Sequence, residues 1–126
     1  MDLSAIKPVE HVLDIVHPGT NEPLGIKVSL LSLDDDAMKK VKRKIQDASN
    51  ALARKGKSFS AEQVEENHNL LLFTAMTGWS WEGDANFHGE KPAFTVAMVY
   101  KVFNELPWFR DQISEKVGDT KSFFTI

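Results

Sequence analysis

The sequence predicts a small α+β domain, mostly α-helical, in which an N-terminal β-hairpin is followed by about four helices. Three observations predict it. Two stretches rich in β-branched residues flank a turn-forming segment near the N-terminus. Downstream, apolar residues recur at helical spacing behind capping residues. Glycines and prolines fall mostly between the helical patterns. With 126 residues the chain makes one domain, 1–126, with a β-hairpin region (1–33), a helical region (34–118) and a flexible tail (119–126).

The hairpin comes from "HVLDIVHP" and "GIKVSLLSL", joined through "GTNEPL", whose Gly19, Asn21 and Pro23 form turns. Ile26, Val28 and Leu30 share one face, because side chains alternate along a strand. A lone hairpin is marginal in water, so this face must pack on something.

The first helix is read from "SLDDDAMKKVKRKIQDASNALARKGK". Ser32 opens an S-x-x-D start, and Asp34, Asp35 and Asp36 suit the positive end of the helix dipole. Met38, Val41, Ile45, Ala48 and Leu52 make one narrow apolar seam, which suits a helix packed along a single neighbour. Gly56 supplies a left-handed cap. The second helix, "SAEQVEENHNLLLFTAMTG", starts on the Ser60/Gln63 capping box and is expected to run to Gly78, with 70–76 its most buried part. Pro92 and Thr95 set up a third helix, with Val96, Val99, Tyr100 and Phe103 as its inward stripe. Pro107 fits the first turn of a fourth, whose apolar contacts are Trp108, Phe109, Ile113 and Val117.

The absence of cysteine excludes a disulfide framework, a thiol nucleophile and Cys-based metal sites. The N-terminus lacks the continuous apolar core of a signal peptide, and no apolar run approaches the ~20 residues that span a bilayer. A cytosolic protein without membrane contact is expected. The net charge of −3 hides a division. Residues 39–57 carry eight basic side chains against Asp47 alone, or +7; the rest of the chain totals −10. Such a molecule attracts another copy of itself or a nucleic acid, unless the basic helix is only a solvated face. Lys39, Lys40, Arg43 and Lys44 are the candidates for self-association.

Reactive constellations are few. Glu65 and His68 form E-x-x-H, which in di-iron bundles requires a second such pair that this chain lacks; a solvated helix face is the plainer reading. His88 stands near Glu82, Asp84 and Glu90, but no known catalytic spacing links them, and a surface-loop histidine is expected. There is no nucleophile elbow and no Gly-rich phosphate cradle. No catalytic, cofactor-binding or metal residue is assigned, and no cofactor is expected. The aromatic stretch "TGWSWEGDANFHGEKPAF" remains. Each large ring left in water forgoes about 2–3 kcal/mol of burial, so these rings are expected to close over the core and to be shared in part with a partner. Trp79 and Trp81 are expected on alternate sides of an extended piece. Trp79, Trp81, Trp108 and Phe109 are the candidate partner-binding residues.

Gly78-Trp79, Pro92, Phe94-Thr95, Trp108 and Asp111-Gln112-Ile113, in that order, resemble the tail assembly chaperones of long-tailed, non-contractile bacteriophages, over residues 20 to 124. The resemblance implies a small, largely helical, non-enzymatic protein. Such a protein binds the tape measure protein, keeps it soluble and recruits tail tube protein, in the host cytoplasm and not in the mature virion. It also implies two products related by ribosomal frameshifting. The T-rich phenylalanine codons in Lys121-Ser122-Phe123-Phe124 suit a slippery run, with this chain then expected to be the short product; the plainer reading is an ordinary loose end. A row of copies would suit cargo of that length, and the +7/−10 division suits a head-to-tail oligomer. The other reading is a small nucleic-acid-binding or regulatory protein using the basic helix 39–57.

Overall fold

A computed structural model describes residues 2–6 and 9–118. The chain forms β1 (His11–Val16), β2 (Pro23–Leu30), α1 (Asp36–Arg54), α2 (Ala61–Ala75), β3 (Met76–Trp81), α3 (Val96–Glu105) and α4 (Pro107–Gly118), after a short 3-10 turn at Leu3–Ala5. The α+β class, the hairpin and the four helices agree with the sequence reading. The expected flexible tail, 119–126, lies outside the described residues.

The main correction is at the end of α2. The helix stops at Ala75 and the chain turns straight into β3, which completes a three-stranded antiparallel sheet in the order β1-β2-β3. Met76 is already extended, with φ −82° and ψ 125°. The β-prone rings of Trp79 and Trp81 gain more by pairing with β2 than by extending the helix. Trp79 and Trp81 do not alternate sides. Two residues apart on a strand, they share a face, opposite Val28 and Ile26. A register shift at Ser29/Leu30 then brings Met76 opposite Leu30. Ile15, Ile26, Val28, Leu30, Met76 and Trp81 thus lie together in the core. Val12, Asp14 and Lys27, on the sheet's other face, are exposed.

Helix signals hold with adjustments. Asp35, not Ser32, caps α1, accepting from Ala37 N; the Ser32 hydroxyl instead accepts from Asp34 N in the preceding turn. Gly56 ends α1 in the left-handed region, at φ 70°, with Lys57 N bonded to Leu52 O and Gly56 N to Ala53 O. Ser60 and Thr95 cap α2 and α3 as read, and Pro107 opens α4. On α3 the inward stripe is Val99, Val102 and Phe103; Val96 faces solvent.

The core draws Met38 from α1, Leu72 and Ala75 from α2, and Phe109, Ile113 and Val117 from α4. From 39 to 68 no residue is buried. Helix α1 packs chiefly on α2, through half-buried Val41, Ile45, Ser49 and Leu52, while Ala48 is exposed. Most of α1 and the first half of α2 thus lie outside the core, with a thin seam between them.

Candidate partner-binding surface

The segment after β3 is tied down residue by residue. Glu82 N donates to Gly25 O at 2.8 Å. Gly25 sits at φ 82°, and a Cβ there would stand 2.8 Å from Glu82 O, so only glycine fits this crossing. Phe87 and Glu90 then pair across a tight turn in which His88 (φ 53°) and Gly89 (φ 83°) are both left-handed. Lys91 Nζ donates to Gly83 O and Ala85 O. Trp79 Nε1 donates to Pro92 O at 3.0 Å.

The rings of this segment interlock. Phe94 stacks on Phe73 with centroids 5.5 Å apart and meets Trp79 edge-on at 5.7 Å. Trp81 stacks on Phe109 at 5.9 Å, nearly parallel, and Phe87 closes over Trp81 at 6.4 Å. Contacts of this kind add about 0.5–1.5 kcal/mol each beyond burial. The aromatic segment is therefore largely a lid on the protein's own core.

This burial sorts the four candidate residues. Phe109 is fully buried and Trp81 is 8% exposed, so both belong to the core, and only an edge of Trp81 reaches the surface. Helical rotation explains Phe109: one residue beyond Trp108, it points about 100° away, into the sheet. Trp79 is half-buried, with its indole N–H already bonded to Pro92. Trp108 is half-buried and lies between two open grooves. One, of about 740 Å³, has Leu24, Ile26, Trp81, Ala85 and Leu106 in its walls and Glu82 and Asp84 at its rim. The other, of about 640 Å³, runs between β1 and α4, with Leu13 and Val16 beside Asp14, Asp111, Glu115 and Lys116. Together the grooves carry five acidic side chains, with Trp108 common to both and Trp81 in the wall of one.

The basic residues lie elsewhere. Lys39, Lys40, Lys42, Arg43, Lys44 and Arg54 are all exposed on α1, and neither ion pair between described residues involves them. At 100° per residue, Lys39, Lys40, Arg43 and Arg54 share the face opposite the α2 seam. Neither groove beside Trp108 draws a residue from α1 or α2. The molecule thus offers a basic face on α1 and acid-rimmed apolar grooves on other elements, while α2 carries acids of its own, Glu62, Glu65 and Glu66, beside Tyr100 and Asn104.

The histidines are not gathered. His88 Nε2 lies 2.9 Å from Glu105 Oε1 on α3, and not against the carboxylates near it in sequence. Glu65 and His68 part company: Arg110 Nη1 donates to Glu65 Oε1 (3.1 Å) and to Oδ1 of buried Asn69 (3.3 Å), while His68 Nε2 lies 3.2 Å from Ser114 Oγ. Partial burial, then the Arg110 charge, hold His68 below the usual histidine range. Burial, with the nearby Glu66 charge, raises Tyr100. Among the described residues no three metal-ligating side chains converge and no helix is long and apolar enough to cross a membrane.

Sequence reasoning did not single out Asp14, Leu24 or Leu106, and it named Gln112 only within the Asp111-Gln112-Ile113 group of the resemblance, with no role. Their only signal was adjacency to elements whose tertiary placement was unknown. Comparison with known proteins finds no matching family model, no matching characterised protein and no matching solved structure.

Proposed function

We propose that this chain is a non-enzymatic assembly chaperone of the phage-tail kind: it binds the tape measure protein, keeps it soluble and helps recruit tail tube protein. In this reading it acts in the host cytoplasm, needs no cofactor and leaves before the virion matures. The observation that carries the proposal is Trp108, a large ring half out of the core between two open, acid-rimmed grooves. Tryptophan in such a setting anchors protein contacts, and the apolar walls suit the exposed stripe of a long helical cargo. A second surface, the basic face of α1 around Lys39, Lys40, Arg43 and Lys44, complements the acidic rims. Docked from one copy to the next, the two give a head-to-tail row matched to an elongated cargo.

The test is co-expression with the tape measure protein from the same genome. The account predicts that the cargo stays soluble with the wild-type chain and precipitates with Trp108→Ala, although that variant folds. An equal soluble fraction with and without the chain would overturn the proposal. The exposed basic face also supports the second reading, nucleic-acid binding through 39–57. Retention of duplex DNA that weakens steeply with salt, and is lost in Lys40→Glu/Arg43→Glu/Lys44→Glu, would favour it.

A further inference from the structure

Among the described residues no strand pairs with the outer side of β1, and one side chain bonds to it. Because Glu82 N bonds Gly25 O across β2 and β3, alternation directs residues 25, 27 and 29 of β2 toward β3, and 26, 28 and 30 toward β1. Ile26, Val28 and Leu30 face Ile15, Leu13 and His11. The peptide groups of Val12 and Asp14 therefore point away from β2, onto the open side. After the register shift between Ile15 and Val16, Val16 points the same way. There the Gln112 side chain from α4 makes both bonds that a neighbouring strand would make: Nε2 donates to Val16 O at 2.8 Å, and Oε1 accepts from Val16 N at 3.0 Å. A primary amide has the donor and acceptor of a peptide unit, so Gln112 acts as one rung of a missing strand.

A groove alongside reaches Asp14 on this edge, and exposed Val12 lies just beyond it. The groove lies between the β1 edge and α4, with Leu13, Val16 and Trp108 as apolar walls. Its charges are Asp14, Asp111 and Glu115 against Lys116. We infer that this groove takes an extended, basic segment of a partner protein, which adds to β1 as a fourth strand in line with the Gln112 rung. Main-chain bonds to Val12 and Asp14 supply affinity, and lysine or arginine side chains meeting the acidic rim supply selectivity. Edge-to-edge pairing of two copies is disfavoured, because it brings the Asp14 carboxylates onto one short shared edge. The site does not depend on what the Trp108 cargo is.

The test uses the full chain and a capped Lys-Val-Lys-Val-Lys-Val peptide, followed by amide NMR at low salt. Expected are saturable shifts at Val12, Asp14 and Val16, with slowed exchange of the Val12 and Asp14 amides. The same peptide N-methylated throughout keeps its charge but loses its donors, and should not produce them. Asp111→Asn/Glu115→Gln, both on the α4 surface, should weaken the parent peptide about threefold to tenfold. Equal shifts from both peptides would reduce the effect to non-specific charge attraction and overturn the proposal. So would no shift at β1, or shifts at Val12 and Asp14 that grow with protein concentration alone. Each of these results is separate from the outcome of the Trp108 co-expression test.

Discussion

Phe109 and Trp108 are neighbours in sequence, and substituting each separates structure from function. Phe109 is fully buried and touches the rings of Trp79, Trp81, Phe103 and Trp108, with centroids 5.9 to 6.5 Å away. Phe109→Ala removes a core ring and leaves a cavity, which costs about 3–5 kcal/mol. A domain of this size has about 5–15 kcal/mol of stability, so about a fifth or more of it is at stake. The melting temperature should fall by roughly 10–20 °C. Phe109→Leu keeps most of the volume and should cost about 1–1.5 kcal/mol. Trp108 is half-buried and lines both grooves, so Trp108→Ala should cost no more than about 2 kcal/mol while removing the proposed anchor. Urea unfolding of the three variants measures this directly. If Phe109→Ala lost less than about 1 kcal/mol, or less than Trp108→Ala, the assignment of one ring to the core and the other to the surface would be wrong.

Other outcomes follow from single contacts. Gly25→Ala meets both the left-handed backbone and the Glu82 carbonyl, and should destabilise by about 2–4 kcal/mol with loosening of 82–91, read by unfolding and by proteolysis of that loop. The Trp81 indole N–H is buried without a hydrogen-bond partner among the described residues, so Trp81→Phe should lie within about 1 kcal/mol of wild type, well short of the loss expected for Trp81→Ala. His68 has a folded-state pKa below its unfolded value, so the unfolded chain binds the extra proton. Its contribution is full above the unfolded value of 6.5 and declines as pH falls from there toward the lowered folded value. The effect is small because the ring is partly solvated, and His68→Gln should flatten that part of the urea-midpoint profile. Lys40→Glu/Arg43→Glu/Lys44→Glu should abolish any salt-sensitive growth of sedimenting mass while leaving the melting temperature within a few degrees, since all three side chains are exposed.

Local signals in this sequence were legible where the determinant is local. Ser60, Thr95 and Gly56 mark helix ends through bonds to residues at most five positions away, Pro107 marks one through its fixed φ and missing N–H, and all four stand where the sequence placed them. Ser32 lost the cap to Asp35, three residues on, because its hydroxyl was recruited to the turn before the helix. The third strand was missed because α2 and β3 abut with no intervening turn, so Gly78 read as a helix stop. The M-T-G-W-S-W pattern carries a strand signal that the helical run before it obscured. The candidate surface was legible only in outline. Large rings at 79, 81, 108 and 109 were noticed, but which of them are core depends on packing against β2 and α4, a long-range fact. The Gln112–Val16 pair, 96 residues apart, has no local signature at all.

The central claim is that this protein works by holding another chain against the Trp108 grooves. Hydrogen exchange of the chain, alone and with the tape measure protein, tests it most directly. The account predicts slowed exchange at 24–26, 82–86 and 106–116 on mixing, reduced in Trp108→Ala. Unchanged exchange in those segments, or protection confined to α1, would contradict it.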